Sequence, residues 1–315
     1  MNLKRCLCCG QTLNDEAPYY HKRCAKKLFS SPQIPALNYS LEELNELAKN
    51  TLLNRISVPG VQPKLSLHLE RTEQTCPPRL TLVGLAGDYI LKPPSAQWAH
   101  LPEAEHFCMT LALLCKIETA TFGLIPLQSG ELAYITRRMD RDHGKLFHME
   151  DFCQILNKVT PLKYQGSMEQ IGRALCQYSI VPGLDAIRYF EVALYSFITG
   201  NSDMHLKNFS LLQREPNRWE LSPAYDLVPV KVILPQDSEE MALTMNGKKN
   251  RLKRGDFEAL GASLQLTPIQ IQRTIQRITQ AIETRLTEAL NRSFLPQEMQ
   301  ASIKTLIVRH LQRLA

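Results

Sequence analysis

The sequence predicts an α+β protein with a small β-rich N-lobe followed by a larger helical C-lobe. Residues 56–91 contain segments that alternate apolar and polar side chains, such as "KLSLHLE" and "RLTLVGL", and this alternation is typical of strands. After residue 145 apolar side chains recur at helical spacing, most clearly in "TPIQIQRTIQRITQAIETRLTEAL". Strands concentrated early and helices concentrated late indicate two lobes rather than an alternating α/β chain.

Elements of the N-lobe follow one another with recognisable boundaries. Ser40 and Glu43 form a capping box, which predicts that a helix begins with "LEELNELAKN". The strands "KLSLHLE", "RLTLVGL" and "DYILKPP" come next, and a helix is expected from about Pro102 to Lys116. "LAYITRRMDR" then predicts a further strand that ends in a charged connector.

Helices dominate the C-lobe. Thr267 caps the longest one and Pro268 occupies its first position, which is where proline is tolerated in a helix. The other predicted helices are 149–157, 167–179, 184–199 and 301–314.

Three regions are therefore predicted along the chain. Residues 1–30 form a cysteine-rich head, 36–136 the N-lobe and 137–315 the C-lobe. The head is separated from the rest by a stretch rich in proline and serine, "SSPQIPALNYS".

Composition narrows the classes of protein to consider. The 315 residues are 44% hydrophobic, an ordinary value for a globular protein. No run approaches the roughly 18 apolar residues of a membrane span, and "MNLKRCLCCG" lacks the apolar stretch of a signal peptide, so we expect a cytoplasmic protein with no membrane association. The net charge of +6 permits a polyanionic partner but does not require one.

Functional side chains concentrate in "TGNSDMHLKNFSLL", where Asp203 and Asn208 lie five residues apart. The catalytic loop of protein kinases, H-R-D-x-x-x-x-N, has the same interval. Its aspartate orients or deprotonates the attacking hydroxyl, and its asparagine holds Mg²⁺ against the phosphates. Aspartate and asparagine are also frequent in ordinary turns, so a purely structural interpretation stays open.

Other expected parts of a phosphoryl-transfer site follow the same order. Asp226 comes after a short hairpin in "WELSPAYDLVPV" and could supply the second metal-binding carboxylate. Lys92 ends a strand of the β-rich lobe, and Glu105 on the next helix could position it. The structural alternatives are a surface lysine at Lys92 and a strand-end carboxylate at Asp226.

A glycine-rich phosphate loop is poorly developed. "RISVPGVQPKLSL" contains a single glycine, Gly60, and neither G-x-G-x-x-G nor G-x-x-x-x-G-K-[ST] occurs in the chain. Gly60 could still allow close approach of the backbone to a phosphate, and Lys64 would add charge.

These motifs together resemble one known family. "ISVPGVQPKLSL", "YILKPP", "ITRRMDR", "EDFCQILN", "TGNSDMHLKNFSLL" and "LSPAYDLVPV" are similar to segments of the HipA-like toxin serine/threonine kinases of bacterial toxin–antitoxin modules. The resemblance runs from about residue 50 to the C-terminus. It implies a bilobal, protein-kinase-like fold related to the phosphatidylinositol 3/4-kinases, which holds a nucleotide between its lobes.

The resemblance also implies roles for individual residues. Asp203 would be the catalytic base, Asn208 and Asp226 would bind Mg²⁺, and Lys92, paired with Glu105, would hold the α- and β-phosphates of ATP. The backbone at 137–139 would meet the adenine, and the loop at 59–64 would cover the phosphates. The further nucleotide-site residues are Pro59, Gly60, Val61, Gln62, Lys64, Arg137, Met139, His205, Lys207 and Tyr225.

A switch and a set of partners are implied as well. Ser57 falls where this family autophosphorylates, and a phosphoserine there would draw the loop outward and empty the site. The alternative is a serine that merely packs or caps. The chain resembles the short HipT type of three-component modules, in which a small HipS-like protein supplies the missing N-terminal subdomain and works beside a helix-turn-helix antitoxin. DNA would be met only indirectly, through that antitoxin.

The spacing of cysteine and histidine residues in the head predicts a Zn²⁺ site. Cys6 and Cys9 form C-x-x-C, while His21 and Cys24 form H-x-x-C, and two close pairs are what a tetrahedral zinc site needs. Cys8 competes with Cys9 as a ligand. The metal-free alternative is a knuckle held by apolar side chains, namely Leu7, Leu13, Tyr19 and Phe29.

The leading hypothesis is an ATP- and Mg²⁺-dependent kinase toxin whose substrate, by family precedent, is an aminoacyl-tRNA synthetase. One alternative is a regulator that binds DNA or antitoxin and has lost catalysis, and another is an enzyme that transfers AMP. The basic segment "NGKKNRLKRGD" at 246–256 could meet such a partner or be a solvated surface loop.

Overall fold

The computed structural model describes residues 5–14, 19–53, 63–70, 78–83, 87–142 and 144–315. Ser57 lies outside the described residues. So do four residues of the predicted phosphate-covering loop, Pro59, Gly60, Val61 and Gln62. The described chain mixes helices and sheets, as the sequence predicts.

Ten helices are present in the described ranges: α1 (Lys22–Phe29), α2 (Leu41–Leu53), α3 (Leu101–Leu114), α4 (Phe152–Ile155), α5 (Met168–Tyr178), α6 (Pro182–Thr199), α7 (Val230–Ile233), α8 (Arg254–Ser263), α9 (Pro268–Arg292) and α10 (Gln297–Gln312). Short 3-10 turns occur at Thr160–Leu162 and Leu206–Asn208. In these ranges no helix is both long enough and apolar enough to cross a lipid bilayer.

The strands of the same ranges are β1 (Leu65–Glu70), β2 (Arg79–Val83), β3 (Tyr89–Lys92), β4 (Phe122–Pro126), β5 (Leu132–Arg137), β6 (Arg141–Asp142), β7 (Lys145–Leu146), β8 (His148–Asp151), β9 (Ser210–Glu215) and β10 (Arg218–Leu221).

The chain divides into two compact units. Unit 1 comprises Met1–Phe107, Ala120–Arg138 and Leu290–Leu295. Unit 2 comprises Cys108–Thr119, Met139–Ala289 and Pro296–Ala315. The boundary between them falls within α3 and again near the end of α9.

Unit 1 is built on a five-stranded antiparallel sheet in the order β2-β1-β3-β5-β4. Leu67, Leu91 and Ile135 are completely buried in this sheet. The register pairs Lys92, the last residue of β3, with Tyr134 of β5. A strand that ends at a buried position thus carries the predicted phosphate-binding lysine in the middle of the sheet.

Unit 2 is organised around α6, which is buried along most of its length. Its first turn is tied to β10, because the buried Asp185 accepts hydrogen bonds from the Ser179 hydroxyl at 2.6 Å and from the Leu221 amide at 2.7 Å. Beside it lies a three-stranded antiparallel sheet in the order β10-β9-β8. The C-terminal end of α6 leads directly into the segment that contains Asp203.

Two predicted helix starts are confirmed. Ser40 and Glu43 form the reciprocal bonds of a capping box: the Ser40 amide donates to Glu43 at 2.7 Å, and the Glu43 amide donates to the Ser40 hydroxyl at 3.2 Å. Thr267 caps α9, accepting a hydrogen bond from the Gln270 amide at 3.3 Å.

The predicted helix at 149–157 is wrong over its first part. Residues 148–151 form β8, and only Phe152–Ile155 is helical. Met149 pairs with Leu212 of β9, a partner more than sixty residues away that local periodicity cannot reveal. The helix begins where the Asp151 carboxylate accepts the Gln154 amide at 3.0 Å.

Gly200 ends α6 in a left-handed conformation, with φ +72°, immediately before the Asp203 segment. A Cβ atom at this position would lie 2.4 Å from Leu306 Cδ2 and 3.1 Å from Lys231 Cβ. Both the backbone conformation and the packing therefore require glycine here.

We expect Gly200→Ala to lower the free energy of unfolding by about 1–3 kcal/mol, because it combines left-handed strain with a clash. Urea denaturation followed by circular dichroism measures the change. The matched control is Gly183→Ala in the first turn of the same helix, where a Cβ would meet nothing within 4 Å. That control should stay within about 1 kcal/mol of the wild type. Equal stabilities for the two variants would contradict this account.

Candidate active site

Lys92 and Glu105 form a buried ion pair within unit 1. The Lys92 ammonium donates to the two Glu105 carboxylate oxygens at 2.6 and 2.8 Å. The two residues are only 4% and 1% exposed. Lys92 is therefore not the surface lysine of the structural alternative, and its pairing with Glu105 on α3 is the one that the sequence order suggests.

The surroundings of the pair reinforce its position. The Lys92 ammonium also lies 5.4 Å from the centre of the Tyr134 ring, on the adjacent strand β5, within cation–π range. A charge pair removed from water stabilises a fold poorly compared with apolar packing. Its presence in the interior of unit 1 therefore calls for a functional explanation.

Asp203 and Asn208 are held together by their own loop in unit 2. The loop leaves α6 at Gly200, passes through a 3-10 turn at Leu206–Asn208 and enters β9. The Asn208 side-chain amide donates to the Asp203 backbone oxygen at 2.9 Å. This bond turns the nitrogen of the Asn208 amide toward the loop, which makes its side-chain oxygen the atom available to a metal.

Tyr164, which sequence reasoning missed, contacts Asp203 directly. Its hydroxyl donates to Asp203 Oδ1 at 2.8 Å, and its ring meets His205 edge-on with centroids 5.2 Å apart. Desolvation, together with the nearby Asp203 carboxylate, raises the pKa of Tyr164, so the phenol stays a neutral donor. A lone tyrosine 39 residues before Asp203 carries no sequence signal that could have revealed this contact.

Asp226 adopts a left-handed backbone conformation, with φ +59°, which is uncommon outside glycine. It follows the β9–β10 hairpin, as predicted, and is half-buried. The Asn201 side-chain amide donates to the Asp226 backbone oxygen at 3.3 Å. Asn201 is itself buried and lies two residues before Asp203, so it links the two acidic segments of unit 2. Sequence reasoning gave Asn201 no role.

Tyr225 forms hydrogen bonds to the loop that contains Asp203. Its hydroxyl donates to the Lys207 backbone oxygen at 2.8 Å and lies 2.6 Å from the Ser210 hydroxyl. Burial raises the pKa of Tyr225 and keeps the phenol protonated. The position of Tyr225 is thus fixed by the loop it supports.

His205 and Lys207, two other predicted phosphate contacts, lie in different surroundings from each other. His205 is buried beneath Tyr164. The Lys207 ammonium pairs with Asp151 Oδ2 at 2.6 Å, while the other oxygen of Asp151 caps α4. Lys207 is therefore held by a carboxylate, and a phosphate would compete with that carboxylate for it.

The predicted adenine-binding segment lies at the end of β5. The Arg137 amide donates to the Thr121 oxygen at 2.8 Å and the Arg138 amide donates to the Asp88 oxygen at 2.9 Å. These two donors are therefore used within unit 1, and Met139, half-buried, follows them. Lys64, the last residue of the predicted phosphate-covering loop, is exposed just before β1.

The basic segment at 246–256 neutralises part of its charge locally. Lys248 pairs with Asp256 at 2.7 Å and Lys249 pairs with Glu239 at 3.2 Å. These pairs favour the interpretation as a surface loop over that of a segment that meets a partner.

The four predicted zinc ligands converge in the head. The ligand atoms of Cys6, Cys9, His21 and Cys24 all lie within 4.8 Å of one another.

The sequence is similar to a known protein family and to curated proteins that are named kinases. A family model described as the HipA-like C-terminal domain matches residues 56–286. A curated protein of Sinorhizobium fredii named "Putative kinase Y4dM" is 30% identical over 226 residues, covering 68% of this chain and 54% of that protein. The "Serine/threonine-protein kinase toxin HipA" of Shewanella oneidensis is 27% identical over 259 residues, covering 72% of this chain and 57% of that protein. The chain thus spans about half of the length of these relatives.

Solved structures share the fold. In the complex of Shewanella oneidensis HipA with HipB and its operator DNA, one chain matches with a TM-score of 0.68 at 22% identity, over 82% of this chain and 64% of that one. The Helicobacter pylori proinflammatory kinase CtkA matches with a TM-score of 0.55 at 13% identity, over 75% of this chain and 87% of that one. These matches confirm a kinase-like α+β fold.

We expect Glu105→Leu and Lys92→Met each to lower the free energy of unfolding by about 3–5 kcal/mol, because each leaves an uncompensated charge in the interior. The double variant Lys92→Met/Glu105→Leu should recover a large part of the loss, which a double-mutant cycle by urea denaturation measures. As a control, Arg285→Met removes the exposed pair with Glu288 and should change stability by less than about 0.5 kcal/mol. Additive effects of the two single substitutions would contradict a direct buried pair.

Proposed function

This chain belongs to the HipA-like C-terminal domain family, and on that premise we propose that it is an ATP- and Mg²⁺-dependent serine/threonine protein kinase. Its relatives are named kinases, and it shares their kinase-like fold. Phosphoryl transfer needs positioning and electrostatic stabilisation more than covalent chemistry, so the arrangement of charges in the described residues is the relevant test.

The observation that carries the proposal is the buried pair of Lys92 and Glu105. In protein kinases a lysine on the third strand of the β-rich lobe holds the nucleotide phosphates, and a glutamate on the following helix positions that lysine. Here Lys92 ends β3 and Glu105 lies on α3. We assign Lys92 to the α- and β-phosphates of ATP and Glu105 to holding its ammonium group in place.

Asp203 is proposed as the base that accepts the proton of the attacking hydroxyl. The hydrogen bond from Tyr164 at 2.8 Å fixes one oxygen of this carboxylate and therefore its orientation. We assign Tyr164 as a positioning residue, because it would act through Asp203 rather than on the substrate.

Asn208 and Asp226 are proposed to hold Mg²⁺. An amide oxygen and a carboxylate oxygen suit this hard cation, and the bond between Asn208 and the Asp203 backbone presents the amide oxygen. Asn208 and Asp226 would thereby place a positive charge that offsets the charge of the ATP phosphates. We further propose that the nucleotide is contacted by His205, Lys207 and Tyr225, by the backbone at 137–139 and by the loop at 59–64.

The biological role is proposed from the family. We propose a cytoplasmic toxin that phosphorylates an aminoacyl-tRNA synthetase, stalls translation, and is silenced by autophosphorylation at Ser57. The relative from Shewanella oneidensis is named a kinase toxin and was solved in complex with HipB and operator DNA. A HipS-like protein and a helix-turn-helix antitoxin are the proposed partners, with DNA met through the antitoxin.

Incubation of the purified chain with Mg²⁺ and γ-labelled ATP tests the activity. We expect label on Ser57 in the wild type and at least a hundredfold less in Asp203→Gln, since general-base catalysis is worth about 10²–10⁴ in rate. Ser57→Ala should stay active on a protein substrate, and mass spectrometry locates the label.

The other hypotheses predict different outcomes in the same experiment. Nucleotide binding without transfer would indicate a regulator, and label only from α-labelled ATP would indicate an AMP-transferase; either outcome would overturn the proposal. Loss of all activity in Ser57→Ala would overturn the switch.

We expect Asp226→Ala to abolish the Mg²⁺ dependence of ATP affinity, because it removes a charged metal ligand. Isothermal titration with and without Mg²⁺ measures this difference. The control is Glu215→Ala, which removes an exposed carboxylate at the end of β9. An Asp226→Ala variant in which Mg²⁺ still strengthens ATP binding as in the wild type would remove Asp226 from the metal site.

A further inference from the structure

The head of the chain contains a cluster that the proposed kinase reaction does not use. We propose that Cys6, Cys9, His21 and Cys24 bind one structural Zn²⁺ ion and that this ion fastens the N-terminal segment to the sheet and to α3 of unit 1. The proposal is independent of the kinase activity, because none of the four side chains is assigned to nucleotide or substrate.

The spacing of the donor atoms suits a tetrahedral ion. A tetrahedral site with Zn–S bonds of about 2.3 Å has sulfur atoms about 3.8 Å apart. The three sulfur atoms and the histidine nitrogen here all lie within 4.8 Å of one another, so a small contraction closes the site. Four protein ligands leave no position for water, which is the property of a structural site.

The histidine is oriented as a ligand. His21 Nδ1 lies 3.4 Å from Cys9 Sγ and 3.9 Å from Cys24 Sγ. On the other side of the ring, Nε2 lies 3.0 Å from the Thr12 backbone oxygen, to which it can donate only if it carries the proton. This second contact leaves the lone pair of Nδ1 facing the thiols, as in metal-binding histidines.

The ambiguity between Cys8 and Cys9 is resolved by their surroundings. Cys8 Sγ lies 3.5 Å from the Phe122 backbone oxygen on β4 and is not part of the four-atom cluster. Cys9 is therefore the ligand, and Cys8 provides a natural control.

The backbone around Cys6 forms the tight turn that such a site needs. The Gly10 amide donates to the Cys6 oxygen at 2.7 Å, and Gly10 is left-handed, with φ +69°. The His21 amide lies 3.4 Å from Cys6 Sγ and donates to it.

The turn is joined to the elements that position Lys92 and Glu105. The Leu124 amide of β4 donates to the Leu7 oxygen at 2.9 Å, and Tyr20 donates to the Leu124 oxygen at 2.5 Å. His106, next to Glu105 on α3, lies with its Nε2 3.0 Å from the Cys8 oxygen. Burial lowers the pKa of His106 to about 4, so the ring stays neutral and donates to that oxygen.

Elemental analysis of the full chain, purified under reducing conditions without added metal, tests the site. We expect about one Zn²⁺ per chain in the wild type and in Cys8→Ser, and a loss of at least about tenfold in Cys9→Ser and Cys24→Ser. No metal in the wild type, or undiminished metal in Cys9→Ser, would overturn the proposal.

Substitution with Co²⁺ keeps the test decisive if a variant folds poorly. Wild type and Cys8→Ser exchanged into Co²⁺ should show the strong visible bands of a tetrahedral thiolate site. Bands that also persist in Cys9→Ser would exclude that ligand set. A disulfide among these cysteines in the freshly purified wild type, detected by peptide mapping without reductant, would likewise overturn the proposal.

Hydrogen exchange tests the link to α3. Removal of the metal by a chelator should increase amide exchange in peptides from 101–107 at least severalfold, because the Cys8–His106 contact is lost with the turn. Peptides from α10 serve as the control and should not change. Unchanged exchange in α3 after loss of zinc would exclude the fastening role, whatever the kinase assay shows.

Discussion

The fold of unit 1 depends on one charge that has been taken out of water. Lys92 is held in the interior by both oxygens of Glu105, and the two residues come from a strand and from the helix that follows it. An ammonium group in this position is tolerated only while its partner stays within hydrogen-bonding distance, since an unpaired buried charge is strongly destabilising. The end of β3 and the first turns of α3 must therefore stay at a fixed distance from each other. The Tyr134 ring supports the Lys92 ammonium, and the contact between His106 and the Cys8 oxygen holds α3.

In unit 2, three uncharged side chains position the segments around Asp203 and Asp226 through hydrogen bonds to backbone oxygens. Asn208, Asn201 and Tyr225 each donate to a main-chain oxygen of the segments that contain Asp203 and Asp226. Such bonds position the loops through their backbone oxygens. The same strategy separates residues that shape a site from residues that would react in it.

Sequence reasoning predicted the elements that have local signals. Helices with caps and apolar stripes, such as α9, and alternating strands, such as β1, follow from short-range chemistry. β8 was missed because its stability comes from pairing with β9, and Tyr164 was missed because its contact with Asp203 exists only after folding. The spacing of Cys6, Cys9, His21 and Cys24 anticipated that their side chains lie together, but the choice between Cys8 and Cys9 needed the orientation of their side chains.

The backbone of Asp226 has a consequence for how this chain can change. A non-glycine residue at φ +59° raises the energy of the folded state by about 1–2 kcal/mol in general, somewhat less for aspartate, whereas glycine adopts the same conformation freely. Selection for robustness alone would therefore remove this carboxylate, since a single substitution would relax the main chain. A redesign guided only by thermostability would therefore tend to replace Asp226 with glycine, and it would remove the carboxylate that we propose as a metal ligand.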